Sequence, residues 1–199
     1  MIVIGLAGGS GSGKTKVSSL FSKHGIMSVN TDEIYHDLTS SQTPCLASIV
    51  EEFGRGVLNE SGTLDRKALG AIVFSDPEKL GRLNTISHYY VLCTVREIIS
   101  DANARGYFGV IVDAPLLFES GFDRECDAIV AVVASKEKRV ARIIARDGIS
   151  ATDANRRIAN QLSDEFLSSR ADYIITNNGT AEELSLQVEC VVNKIKNNK

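Results

Sequence analysis

The sequence predicts an α/β fold: a parallel sheet with helices packed on both faces. Short apolar, β-branched runs recur at residues 2–6, 26–30, 108–113, 128–134 and 172–176. Helical periodicity fills the gaps between them, and that alternation is the pattern of parallel strands joined by crossovers. A composition of 43% hydrophobic and 24% charged residues over 199 positions suits one globular domain with insertions, long enough to bury a full core.

Each element has its own signal. The first helix is expected to open near Lys14, because Val17, Leu20, Phe21 and His24 fall at the i, i+3, i+4, i+7 spacing of one helical face. Residues 31–105 are too many for a single crossover and read as several helices forming an inserted lobe. Within it, Leu46, Ile49, Val50 and Phe53 make one stripe, and Val91, Val95, Ile98 and Ile99 a further one. Asp76 before Pro77 marks a helix start, with a capping side chain and a preset φ. A second, charged helical insertion spans 136–170 and is divided at Gly148. In the last helix Thr180 and Glu183 form a capping box ahead of the stripe Leu184, Val188, Val191, Val192 and Ile195.

Charge and hydropathy exclude several classes of protein. A net charge of −3 provides no positive field for a nucleic-acid backbone, so no nucleic-acid partner is expected. The longest apolar run, 128–134, falls far short of the roughly 18–20 residues of a membrane helix. Residues 2–7 are apolar but lack the preceding Lys or Arg of a signal peptide, so the expected location is cytoplasmic, without a membrane partner. Cys45, Cys93, Cys126 and Cys190 stand far apart with no Cys-x-x-Cys, and are expected to be reduced thiols. No heptad stands out, which leaves a monomer or small homo-oligomer.

The chemistry begins at Gly8, Gly9, Ser10, Gly11, Ser12, Gly13, Lys14 and Thr15, which match G-x-x-x-x-G-K-[ST] between a strand and a helix. The glycines let backbone N–H groups converge on phosphate oxygens, and the following helix N-terminus adds positive partial charge. Lys14 is expected to reach the β- and γ-phosphates of a nucleotide, and the Thr15 hydroxyl to ligate a bridging magnesium ion. No Asn-Lys-x-Asp is present to read a guanine, since Asn193-Lys194 is followed by Ile195 and Lys196.

In an open α/β sheet the ligand crevice lies at the carboxyl ends of the strands. Asp32, just past the second strand, could accept a proton from a substrate hydroxyl, or cap a helix beginning near Glu33. Asp113, ending the third strand, could hold magnesium through water, or serve as a turn residue before Pro115. Arg139, Arg142 and Arg146 share one helical face opposite Val140, Ile143 and Ile144; that face could close over a triphosphate or simply be solvated. Tyr89, Tyr90 and the cysteines have core packing as their plain reading, and His88 that of a packing or surface histidine.

The ordered set of motifs resembles the dephospho-coenzyme A kinase family. It comprises residues 5–15, Asn30-Thr31-Asp32, Gly62-Thr63-Leu64-Asp65-Arg66 with Leu69, Val73-Phe74, Leu83 with Ile86 and His88, Asp113-Ala114-Pro115-Leu116-Leu117-Phe118-Glu119, Arg142 with Arg146, Gln161, Ala171-Asp172 and Asn177-Asn178-Gly179. The resemblance implies a three-layer P-loop NTPase fold with a five-stranded parallel sheet, a helical lobe for dephospho-coenzyme A and a lid over ATP. It implies transfer of the ATP γ-phosphate to the ribose 3′-hydroxyl of dephospho-coenzyme A, with magnesium.

By the same likeness Asp32 is the catalytic aspartate, working with Lys14 and Arg142. Arg66, His88, Leu116 and Glu119 belong to the acceptor side. Lys16 joins the phosphate loop, Arg142 and Arg146 the lid, and Asn177 the adenine segment. The sequence departs from the family pattern at Ala7, Thr15-Lys16, Asn30 and Tyr89, where Thr, Ser-Thr, Asp and Pro are usual. Another nucleoside or nucleoside monophosphate kinase, a nucleotide-dependent binding module and an inactive relative remain alternatives at this point.

Overall fold

The computed structural model describes residues 1–198 and divides into two compact units. The first joins Met1–Val29 to the chain from Ile99 onward, and the second is Asn30–Ile98.

The sheet contains β1 (Ile2–Ala7), β2 (Ile26–Asn30), β3 (Gly109–Asp113), β4 (Ala128–Val133) and β5 (Tyr173–Thr176), in the order β2-β3-β1-β4-β5. The central strand β1 runs parallel to β3, with Ile4 opposite Ile111, and parallel to β4, with Leu6 opposite Val130. Helices α1 (Lys14–Ser22) and α9 (Ala181–Asn197) contribute Val17, Leu20, Phe21, Leu184, Val188, Val192 and Ile195 to one buried cluster with Ile2, Ile4, Leu6, Ile111, Val130 and Ile175. Each such side chain taken from water is worth about 1.5–3 kcal/mol, so the loop that ends β1 rests on a rigid base.

The Thr180–Glu183 capping box forms as expected, each side chain accepting the other residue's backbone N–H. His24 departs from expectation. Helix α1 stops at Ser22, whose carbonyl accepts the N–H of Gly25, and the left-handed φ of 78° at Gly25 turns the chain into β2. His24 therefore lies in a turn, off the helical stripe.

The stretch expected as two charged segments holds three helices: α6 (Lys136–Asp147), α7 (Ala151–Ala159) and α8 (Asp164–Arg170). The break at Gly148 is present, with φ 65°. A second break precedes Ser163, which caps α8 by accepting the Phe166 N–H at 3.1 Å, while Asp164 and Glu165 sit in the first turn. Those are ordinary helix-start signals, legible in the sequence but unread there.

The second unit holds α2 (Thr31–Thr39), α3 (Pro44–Phe53), α4 (Arg66–Val73) and most of α5 (Pro77–Ala104). Cys45, Leu46, Ile49, Val57, Leu64, Leu69 and Val73 form its core, with Leu83, Ile86 and Tyr90 packed against it. Helix α5 is continuous over 28 residues, so the start at Pro77 and the stripe through Val91 and Val95 belong to one helix. The core reading holds for Tyr90, which bonds Ser48 Oγ through its hydroxyl at 2.9 Å, but not for Tyr89, which is 62% exposed.

All four cysteines are free thiols. Cys45 is buried but Cys190 is exposed, against the packing expectation. Burial pushes the Cys45 thiol up to about 11 and that of Cys126 to about 12. No described helix is long and apolar enough to cross a membrane.

Candidate active site

The phosphate loop begins where β1 ends, and its fold shows why glycines stand in it. Gly11 and Gly13 take φ values of 77° and 99°, a region that costs an L-residue about 1–2 kcal/mol. Their surroundings are closed as well. A Cβ on Gly11 would sit 2.6 Å from the Arg139 carbonyl oxygen, and one on Gly13 would overlap the Asn177 amide. Alanine at Gly13 is accordingly expected to weaken nucleotide binding by more than about tenfold, measured by titration with a fluorescent ATP analogue; parental affinity would contradict this reading of the loop.

The Ser12 N–H is used on the Gly9 carbonyl at 3.1 Å, and the Ser10 N–H on Gln161 Oε1 at 2.8 Å. The donors of Gly11, Gly13, Lys14 and Thr15 are left for an anion, at the positive end of α1. Lys14 Nζ donates to the Gly8 carbonyl at 2.9 Å and lies 3.7 Å from Asp113 Oδ1. Asp113 is only 7% exposed at the end of β3, so the expected lysine and carboxylate meet beside the loop. Thr15 and Lys16 are exposed on the first turn of α1.

The arginines of α6 do not share a solvated face. Arg139 is buried, with Nε donating to the Ser10 carbonyl at 3.0 Å and Nη1 to Asp164 at 2.9 Å. Arg142 donates to the Gly11 carbonyl at 3.1 Å and to the Asn177 carbonyl at 2.9 Å, and Asn177 Nδ2 donates to the Ser12 carbonyl at 2.7 Å. Arg142 and Asn177, assigned to lid and adenine segment by likeness, thus both grip carbonyls of the loop.

Only Arg146 faces solvent, paired through both ends of its guanidinium with Asp147, which also pairs with Arg157. Arg146, followed by Arg157, holds the Asp147 carboxyl down at about 2 against an ordinary 3.8. A carboxyl depressed by folding stabilises the native state above its unfolded value and loses that contribution as pH falls through the folded one. The melting-temperature gap between the parent and Asp147→Asn should therefore be present at pH 7 and close between about pH 4 and pH 2; a gap constant over that window would contradict the pairing.

A cavity of about 110 Å³ lies against the loop, lined by Gly8, Gly9, Leu116, Glu119, Gln161 and Leu167 among others. It brings the expected Leu116 and Glu119 to the loop's edge. Sequence reasoning left Gln161 without a role, missed Asp164, and placed Arg139 on a face over the triphosphate or in solvent instead of buried behind the loop. Their pairing across 22 to 151 positions leaves no local signal.

In the second unit α2 is capped by Asn30, not Asp32: Asn30 Oδ1 accepts the Asp32 N–H at 3.0 Å, and Nδ2 donates to Glu33 at 3.0 Å. The Asp32 carboxylate is exposed and outside the cap. Arg66 donates to Thr39 Oγ1 at 3.1 Å, lies 3.2 Å from His36 Nδ1 and stacks 5.3 Å above the Tyr35 ring. His88 is half-buried in α5.

The family model for dephospho-CoA kinase matches residues 2–183. The chain belongs to the dephospho-CoA kinase family. It is 38% identical over 195 residues to the dephospho-CoA kinase of Corynebacterium efficiens, covering 98% of each chain. A crystal structure of a Thermus thermophilus protein superposes with a TM-score of 0.80 at 30% identity, covering 97% of both chains. The dephospho-CoA kinase structure of Campylobacter jejuni superposes with a TM-score of 0.72 at 25% identity, covering 99% of this chain and 98% of that one.

These likenesses carry the P-loop NTPase fold expected for the dephospho-CoA kinase family. Asn30, read from the sequence as a departure from the family pattern, has a visible role, because an amide can both accept from the helix and donate to Glu33. A second carboxylate there would repel it.

Proposed function

We propose that this chain transfers the γ-phosphoryl group of ATP to the ribose 3′-hydroxyl of dephospho-coenzyme A, giving coenzyme A and ADP. The carrying observation is the phosphate loop with its four uncommitted N–H donors and Lys14 against Asp113, in a chain of the dephospho-CoA kinase family. Transfer is direct and in line: the acceptor oxygen bonds to phosphorus as the bridge to ADP breaks, with no phosphoenzyme between.

Within that reading the N–H groups and Lys14 bind the triphosphate and offset charge that builds on the phosphate oxygens. Arg142 adds a fixed cation behind the loop, and Arg146 is the lid guanidinium able to exchange Asp147 for phosphate. Asp32 orients the hydroxyl and takes its proton; in a loose transition state the proton leaves late, so orientation is the larger part of its contribution. Asn177 borders the adenine. Arg66 and His88 on the 31–105 lobe, with Leu116 and Glu119 at the cavity, take the acceptor. Residues 136–170 act as lid, and the cytoplasm is the assigned compartment.

Magnesium suits the donors present. The Thr15 hydroxyl and the Asp113 carboxylate are hard oxygen ligands, and among the described residues no cluster of three or more His, Cys, Asp or Glu offers a cage of its own. The ion would complete its shell with phosphate and water, as magnesium commonly does, and when bound it neutralises phosphate charge. The test is acceptor-dependent ADP release. Dephospho-coenzyme A should accelerate it, whereas nucleosides and nucleoside monophosphates should not, and preference for one of those would overturn the acceptor assignment.

A further inference from the structure

We propose that Arg139 is a positioning residue for the phosphate loop, fixing the backbone at Ser10 without touching the nucleotide. The inference rests on the reading that the loop holds the triphosphate. The motif specifies glycines, Lys14 and Thr15, but not what braces the loop from outside. An arginine only 4% exposed is an unusual occupant for that place, and its neighbours show what it serves.

Arg139 Nε donates to the Ser10 carbonyl at 3.0 Å, Nη2 to Gln161 Oε1 at 3.3 Å and Nη1 to Asp164 at 2.9 Å. Gln161 Oε1 accepts the Ser10 N–H at 2.8 Å, while its Nε2 donates to Ser10 Oγ at 3.1 Å. All three polar groups of Ser10 are thus held by two side chains, one latched to α8 by a carboxylate that compensates its buried charge.

With the Ser10 peptide unable to rotate, the next donors along the loop are aimed before an anion arrives, and binding costs less ordering. Gly9 belongs to the same device. A Cβ there would overlap Arg139 Nη2, and Gly9 has no positive φ, so the arginine and not the backbone conformation excludes a side chain.

The experiment compares Arg139→Met, Arg139→Lys and Asp164→Asn with the parent for binding of a fluorescent ATP analogue without acceptor, for KM of ATP and of acceptor, and for melting temperature. Arg139→Met is expected to weaken nucleotide binding and raise KM for ATP about tenfold, the worth of a lost charged hydrogen bond, while KM for the acceptor stays within about twofold. Arg139→Lys should recover part of that loss, and Asp164→Asn should show the same ATP-only defect in milder form.

Gly9→Ala should weaken nucleotide binding in the parent but little in an Arg139→Ala background. A folded Arg139→Met with a lowered melting temperature but parental ATP binding and KM would overturn the proposal. If that variant does not fold, the same parental values in both Arg139→Lys and Asp164→Asn would do so. A parent that binds no nucleotide analogue would overturn the loop reading itself; failure of the acceptor assignment would leave the binding comparison intact.

Discussion

Alanine in place of Lys14 is expected to lower the rate of acceptor-dependent ADP release by about 10²–10³-fold, with a smaller rise in KM for ATP. The ammonium lies at the mouth of the loop, held by the Gly8 carbonyl at 2.9 Å and the Asp113 carboxylate at 3.7 Å, with 14% of the side chain exposed. A cation there gains most when charge moves onto the oxygen between the β- and γ-phosphates, so the transition state loses more than the bound ground state. The substitution also takes that cation from beside the buried Asp113, which should lower the melting temperature. Adding Asp113→Asn should restore part of the melting temperature and none of the turnover. Parental turnover in folded Lys14→Ala would remove the residue from the chemistry.

Replacing Asp32 by alanine should reduce turnover by about 10²–10⁴-fold while nucleotide binding stays within about twofold. The structure makes this a clean test. Asn30, not Asp32, caps α2, so the cap survives the substitution. Stability should fall only by the loss of an acid from the first turn, about 0.3–1 kcal/mol. A variant with normal turnover, or one whose loss follows a collapse in melting temperature, would contradict the assigned role.

The strands, the phosphate loop, α1 and the capping box of α9 were legible in the sequence because each is written locally, in β-branched runs, in a glycine pattern or in residues three apart. Asp113 could be placed beside the phosphate loop on paper because it ends a strand of a parallel sheet, at the edge where the loop lies; its approach to Lys14 at 3.7 Å came from the structure. Other features were hidden for physical reasons. Sequence signals marked the start of α5 and its later stripe but not its continuity over 28 residues, because a largely polar stretch separates Pro77 from Val91. Asn30 and Asp32 are both good capping residues, and only backbone geometry selects between them. Helical spacing placed Arg139 beside Arg142 and Arg146 correctly. Its burial depends on Ser10, 129 positions away, and on Asp164, 25 positions away, pairings no local pattern records.

The measurement that bears most directly on the account is the mass spectrum of the products after the protein is mixed with ATP, magnesium and dephospho-coenzyme A. An acceptor heavier by one phosphoryl group is expected, identical in mass and fragmentation to coenzyme A, with its new phosphate on the ribose 3′-hydroxyl, and ADP is expected in equal amount. ATP consumed with the acceptor unchanged, or phosphate found elsewhere on the acceptor, would contradict it.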